Sequence, residues 1–158
     1  MRVRVAAAGE ARRQGGWIAA IEPWRSLGYR SVRLGAWLSR LAGQNAVRVA
    51  TAGRGARTEV CGIVVVQPNV LLGDFIALLA VRPESSGQGL GRRLVQETAA
   101  RTFRTRRWLY TSSDQQNRQA ARFYRRLGFQ RVARLPGMIR PERAEILWRL
   151  PRPGGVGP

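Results

Sequence analysis

Val81-Arg82-Pro83-Glu84-Ser85-Ser86-Gly87-Gln88-Gly89-Leu90-Gly91-Arg92-Arg93-Leu94 is the stretch whose reading decides the fold. An apolar run from Gly73 to Val81 leads into it and reads as a strand covered on both faces. A helix is predicted over Leu90 to Phe103, with Leu90, Leu94 and Val95 toward the core. Between strand and helix stand three alternating glycines. Without Cβ atoms they let backbone N–H groups approach a ligand closely, and the helix N-terminus adds a partial positive charge. Arg92 and Arg93 put formal charge in the same first turn, so the stretch is a candidate pyrophosphate site. A tight structural turn would use the same glycines. A dinucleotide fingerprint begun at Gly87 or Gly89 requires glycine at position 92 or 94, where Arg92 and Leu94 stand. A phosphate-binding Walker loop requires Lys, and the chain has none.

Composition narrows the chemistry further. A chain of 158 residues with 44% hydrophobic residues suits one globular domain. The 28 basic residues are all Arg; against 9 acidic ones they give a net charge of +19. His is absent and Cys61 is the only cysteine, which excludes His-dependent triads, Cys–His nucleophiles, Cys/His zinc sites and an internal disulfide. The missing Lys also excludes a protein-kinase site and a pyridoxal-phosphate Schiff base. Runs such as Ile63 to Val66 and Phe75 to Val81 fall short of the roughly 18 residues a membrane span requires. Gly9, Glu10, Arg12 and Arg13 interrupt the start of the chain, so no signal peptide is predicted and a cytoplasmic protein is expected. The charge invites nucleic acid as a partner. That is the less favoured reading, because Arg is scattered from Arg2 to Arg152 and Arg-rich, Ala-rich, Gly-rich composition is also what a GC-rich genome writes into any surface.

Working outward, residues 2 to 7 read as a strand and Glu10 to Ile21 as a helix interrupted by Gly15-Gly16. Pro23 marks a bend. A second helix is predicted over Arg30 to Leu41, with Gly43 as its stop. Ala46 to Ala52 and Thr58 to Val66 flank Gly53-Arg54-Gly55 as a β-hairpin. After the glycine turn and its helix, Trp108 to Ser112 reads as a strand. Ala120, Phe123, Tyr124 and Leu127 fall on one face of an amphipathic helix closed by Gly128. Strands near Phe129 to Arg134 and Ala144 to Leu150 complete residues 1–150 as one domain, and residues 151–158 read as a flexible Pro/Gly tail. The element order implies an α/β (α+β) fold, a mixed, mainly antiparallel central sheet flanked by helices.

Leu79-Ala80-Val81-Arg82-Pro83, Gly87-Gln88-Gly89-Leu90-Gly91-Arg92, Asn117 and Phe123-Tyr124-Arg125-Arg126-Leu127-Gly128-Phe129 together resemble the GCN5-related N-acetyltransferase (GNAT) superfamily. The resemblance covers about residues 73 to 150. Ile21-Glu22-Pro23-Trp24, Leu27-Gly28-Tyr29, Leu135-Pro136 and Glu145-Ile146-Leu147 are similar to segments of some bacterial members.

The resemblance implies an acetyl-CoA-dependent N-acetyltransferase without a metal, working by direct attack of an amine in a ternary complex. It implies a strand that splays from its neighbour, with the backbone of Leu79, Ala80 and Val81 pairing with the pantetheine arm. Gly87, Gln88, Gly89, Leu90, Gly91 and Arg92 would hold the pyrophosphate. Ser86 stands where the family has Arg or Gln. Asn117 matches an Asn that touches the cofactor arm, or else faces solvent in the first turn with Asp114 as the helix cap. Tyr124 matches the tyrosine that protonates the departing thiolate, or else packs in the core beside Phe123. Members that acetylate ribosomal-protein N-termini commonly carry Glu where this chain has Ser112, so no base transfers. Glu22, Asp74, Asp114 and Glu145 are the carboxylates near the predicted sheet, each read first as a cap, a turn residue or an Arg partner. Cys61 reads as a small core residue. The acceptor would be an amine-bearing small molecule or a protein or peptide, lined by Glu22 to Tyr29 and the loop from Pro136 to Arg143, with Arg140 and Arg143 hinting at an anionic acceptor. A homodimer is compatible with the sequence. The rival readings are an Arg-rich nucleic-acid-binding module and a catalytically degenerate CoA-binding fold. Phe75, Phe103, Phe123 and Phe129 read as core residues rather than base-stacking ones, which weighs against the module.

Overall fold

A computed structural model describes residues 2–53 and 58–154. The elements are β1 (Arg2–Val5), α1 (Ala8–Ala20), α2 (Ser31–Ala42), β2 (Val47–Ala52), β3 (Glu59–Val70), β4 (Gly73–Val81), α3 (Leu90–Thr102), β5 (Trp108–Asp114), α4 (Arg118–Arg126), β6 (Gln130–Pro136) and β7 (Ala144–Pro151), with a single 3-10 turn at Pro83–Ser85. The seven strands hydrogen-bond in the order β1-β2-β3-β4-β5-β7-β6. β4 and β5 are parallel, while β1/β2, β2/β3, β5/β7 and β6/β7 are antiparallel, so the sheet is mixed and mainly antiparallel as expected. The hairpin positions Arg54 and Gly55 lie outside the described residues. The chain divides into two compact units, Met1–Val66 with Leu78–Gln96, and Gln67–Ala77 with Glu97–Pro158.

In the first unit, consecutive residues of β3 from Val60 to Val65 are buried, so this strand is covered on both faces. On one face Gly62 admits the start of α3: a Cβ there would stand 3.0 Å from Leu94 Cδ1 and 3.2 Å from Leu90 Cδ2. Double-sided burial was expected of β4 instead. β4 alternates, with Ile76, Leu78 and Ala80 buried and Ala77, Leu79 and Val81 half-buried. An apolar side chain in sequence thus does not tell which face meets protein.

α1 runs unbroken through Gly15-Gly16, contrary to the interruption expected there. The reason is packing between helices. A Cβ on Gly15 would lie 2.6 Å from Gly35 N and 2.6 Å from Ser31 O, and one on Gly35 would lie 2.7 Å from Arg12 O. These two glycines let α1 and α2 approach backbone to backbone, and Ile18, Leu34 and Leu38 are buried alongside. Arg4 and Glu10 tie β1 to α1 through a bidentate pair at 2.7 Å, which holds the Glu10 carboxyl below its usual range.

In the second unit β5 pairs with β7 along its whole length, from Trp108↔Pro151 to Asp114↔Glu145. Leu109, Thr111, Ile146 and Trp148 are buried there, and Trp148 Nε1 donates to Ser113 Oγ at 2.9 Å. Gly73 is close against β5, where a Cβ would fall on the Trp108 carbonyl. Asp74 accepts from Thr102 Oγ1 at 2.8 Å, fastening the end of α3 to the start of β4. Of the four phenylalanines expected in the core, Phe129 is buried, whereas Phe75, Phe103 and Phe123 are half-buried. No helix among the described residues is long and apolar enough to cross a membrane.

Candidate active site

The β5 ladder along β4 covers Gly73 to Ile76, paired with Trp108 to Thr111, and ends there. Leu79, Ala80 and Val81 follow in the first unit. The end of β4 is clamped to β3, because Arg82 N–H donates to the Cys61 carbonyl at 2.8 Å and Arg82 Nε to the Val60 carbonyl at 2.7 Å. The Arg82 guanidinium also sits 5.0 Å over the Trp17 ring, a cation–π contact that pins the side chain. Sequence reading gave Arg82 no such part. One 3-10 turn follows, closed by Ser85 N–H to the Arg82 carbonyl at 2.9 Å and Ser86 N–H to the Pro83 carbonyl at 3.1 Å.

The glycine turn then takes its shape from backbone conformation. Gly87 and Gly89 both have φ of +76°, the left-handed region, and a Cβ on either would meet nothing within 4 Å. Space does not demand glycine at these positions; the dihedrals do. The first bond of α3 runs from Arg93 N–H to the Gly89 carbonyl at 3.0 Å, which leaves the N–H groups of Leu90, Gly91 and Arg92 without an acceptor in the helix. Leu90 is buried as an anchor, whereas Ser86, Gly87, Gln88, Gly89 and Arg92 are exposed. Open N–H groups, a positive helix end and an exposed Arg92 together suit a phosphate-bearing group, so the residues present fit the pyrophosphate of a CoA ester.

In the second unit, Asn117 is the N-cap of α4, with its Oδ1 accepting from Ala120 N–H at 2.9 Å. This corrects the assignment of the cap to Asp114. Asp114 ends β5 instead, accepting from Gln116 N–H at 2.7 Å and facing Arg143 Nε at 2.8 Å. The Asn117 cap uses the amide oxygen, so the amide N–H donors remain for another partner.

Tyr124 is 7% exposed and stands edge-on to Phe123 and Phe129, with ring centroids 5.2 and 5.3 Å away. Its hydroxyl is 3.5 Å from Thr111 Oγ1, a long contact, while Thr111 Oγ1 donates to the Ile76 carbonyl at 3.1 Å. A hydroxyl has one hydrogen, and the Ile76 carbonyl can only accept, so Thr111 keeps its proton toward Ile76. The phenol proton of Tyr124 is therefore not engaged by a short acceptor. Burial raises the Tyr124 pKa above its ordinary value, Thr111 lowers it, and the charge of Glu145 raises it again. Core packing and an available phenol proton coexist in this residue, and no sequence signal marks the part Thr111 plays.

The four carboxylates separate. Glu22 is held by Ser26, through its hydroxyl and through its N–H at 3.2 Å, and by Arg25 Nε at 3.0 Å, and those bonds pull its pKa down. Asp74 is taken by Thr102 and Arg106. Arg143 neutralises Asp114 and donates to Gln116 Oε1 at 3.2 Å, so its guanidinium is engaged within the protein rather than offered to an anionic acceptor. Glu145 is not a cap, and it shares the charge of Arg143 with Asp114. It is 5% exposed in mid-sheet; burial chiefly raises its pKa, the bond from Ser112 lowers it, Asp114 raises it further and Arg143 lowers it.

The profile of the Acetyltransferase (GNAT) domain matches residues 43–131, more than half of the chain. The chain belongs to the GNAT acetyltransferase family. Acetyl-CoA is the cosubstrate that membership implies. A GNAT-family acetyltransferase of Bacillus cereus has a TM-score of 0.75 at 12% identity over 96% of each chain. Arabidopsis thaliana NAA60, solved in complex with a bisubstrate analogue, gives 0.75 at 18% identity over 98% of this chain and 99% of its own. A Bacillus anthracis protein assigned to streptothricin acetylation, solved with acetyl coenzyme A, gives 0.59 at 17% identity over 66% of this chain and 61% of its own. At such identities the likeness speaks for the fold. No curated protein matches the chain in sequence.

Proposed function

We propose that this GNAT protein transfers the acetyl group of acetyl-CoA to a primary amine by direct attack in a ternary complex. The observation that carries the reading is the glycine turn, where Gly87 and Gly89 adopt φ of +76° with open space around them directly before the N-terminus of α3. Gly87 to Arg92 bind the pyrophosphate through backbone N–H groups, with Ser86 contributing backbone only. The backbone of Leu79, Ala80 and Val81, past the end of the β5 ladder, accepts the pantetheine arm as an added strand. The Asn117 amide donors orient that arm. Tyr124 gives its proton to the sulfur as the thioester opens; a phenol with a pKa above about 10 stays protonated until a thiolate needs it. The acceptor is a small-molecule or peptide amine.

Isothermal titration of nucleic-acid-free protein with acetyl-CoA tests the reading. Micromolar binding is expected, abolished by Gly89→Glu, which adds backbone strain and a negative charge to the anion seat. A folded protein that binds no acetyl-CoA, yet binds RNA or DNA with steep salt dependence, would overturn the reading in favour of an Arg-rich nucleic-acid module.

A further inference from the structure

The turn between β3 and β4 carries the wrong residues for its shape. Leu71 has φ of 46° and Leu72 φ of 64°, so both central residues lie in the left-handed region, where Asn-Gly is the favoured pair. Their side chains are 67% and 78% exposed. The turn itself does not depend on them. The Leu71 carbonyl accepts from the Tyr110 hydroxyl at 3.2 Å and the Leu72 carbonyl receives Arg107 N–H at 3.5 Å, so backbone groups fix its shape. Residues 60–73 hold no charged side chain, and the two leucines project from the end of that stretch as a convex apolar tip. Local rules broken without gain to the fold point to a role outside it.

A cationic rim stands beside this tip within the second unit. The Arg106 guanidinium donates to Asn69 Oδ1, Arg107 stands at Leu72, and Arg152 N–H donates to the Arg107 carbonyl at 3.1 Å. Arg104, Arg107 and Arg152 are exposed. Asp74 is the acidic residue next to the turn, and Thr102 and Arg106 already engage it. Asp114 and Glu145 pair at the far end of β5 and β7, Glu142 lies in the loop before β7, and Glu97 stands further back on α3. The rim therefore keeps its positive charge. A partner protein would need a pocket cut to a convex tip, phosphates of nucleic acid give leucine nothing to bury against, and a second copy would bring the same positive rim to face this one. An anionic bilayer offers both halves, phosphates for the Arg rim and acyl chains for the tip, and it yields to a convex shape.

We propose that the Leu71-Leu72 turn and its Arg rim dock the protein onto the surface of an anionic lipid bilayer. The leucines enter the boundary between headgroups and acyl chains, while Arg104, Arg107 and Arg152 meet lipid phosphates. Docking of this kind lies on the membrane and needs no spanning helix. Each Arg near such a surface strengthens binding about fivefold, and salt weakens that share. Trp108, half-buried between the Arg107 and Arg149 guanidiniums at 5.9 and 4.1 Å from its ring, adds an aromatic of the kind that settles at headgroup level. Leu71 and Leu72 precede β4 whereas the glycine turn follows it, so docking engages different residues from acetyl-CoA.

Co-sedimentation of the full chain with vesicles at an ionic strength of about 0.1 M provides the test. Binding is expected to vesicles of equal parts phosphatidylcholine and phosphatidylglycerol, and not to phosphatidylcholine alone. The decisive variant is Leu71→Asn with Leu72→Gly, which supplies the pair the turn favours and so keeps the fold. It should melt no lower than the parent, bind acetyl-CoA with the parent's affinity and lose vesicle affinity about tenfold or more. Arg104→Gln with Arg152→Gln should weaken vesicle binding about 25-fold, about fivefold for each charge. Equal vesicle binding by parent and turn variant would show attraction by the overall charge of +19 alone and overturns the proposal, as does a parent that stays in the supernatant. A turn variant that loses affinity for an RNA oligonucleotide but not for vesicles overturns it in favour of a nucleic-acid surface, and a parent dimer that the variant makes monomeric, with no vesicle binding, in favour of a second copy. Acetyl transfer is tested separately by the acetyl-CoA titration.

Discussion

Tyr124 shows how one residue serves packing and chemistry at once. Its ring is wedged between Phe123 and Phe129, while its hydroxyl has only the long contact to Thr111. Tyr124→Phe keeps the ring contacts and removes the proton, so the fold and acetyl-CoA binding should persist while kcat falls about 100- to 1,000-fold, as general-acid loss does. Steady-state kinetics beside a calorimetric titration separates the two effects. Glu145 is buried at a cost to stability. Its folded pKa lies above its unfolded one, so between those values the folded chain holds more protons and stability falls as pH rises through that window. Glu145→Gln is therefore expected to raise the melting temperature at pH 8 and to change it little at pH 4, as scanning calorimetry would show. The sequence displayed both residues, and the helical spacing of Tyr124 was plain. Nothing in it distinguished Glu145 from Glu22, because burial and the Asp114 pairing arise across strands.

At the scale of elements, two adjacent glycines in α1 make the point more sharply. Gly16 has open space around its would-be Cβ, whereas that of Gly15 would stand 2.6 Å from backbone atoms of α2. Gly16→Ala should stabilise the protein by about 0.5–1 kcal/mol through helix propensity. Gly15→Ala should destabilise it by about 1–3 kcal/mol, because α1 and α2 must part to admit a methyl group. Chemical denaturation of the pair checks the sign of each. Read alone, Gly15-Gly16 suggested an interrupted helix, because propensity is local and the reason for Gly15 lies on another helix. The glycine turn was legible for the converse reason: its positive φ angles and its place before α3 are local matters, written in Gly87 to Gly91 themselves.

For the whole molecule, a charge of +19 surrounds a site read as binding an anionic cosubstrate. Long-range attraction to the ligand should be screened by salt, with a Debye length of about 10 Å at 0.1 M. Acetyl-CoA affinity is expected to fall several-fold between 50 mM and 500 mM NaCl on titration, and flat affinity would show that direct contacts alone set it. The α/β class, the element order, the absence of whole families of chemistry and the glycine turn before α3 were determined by the sequence itself, since composition, periodicity and turn dihedrals are properties of neighbours along the chain. The tertiary structure decided which strand is covered on both faces, why α1 tolerates two glycines, how Arg82 clamps β4 to β3 and why Glu145 is buried beside Asp114. Each of these depends on residues distant in sequence meeting at a few ångströms, and local pattern carries no record of such meetings.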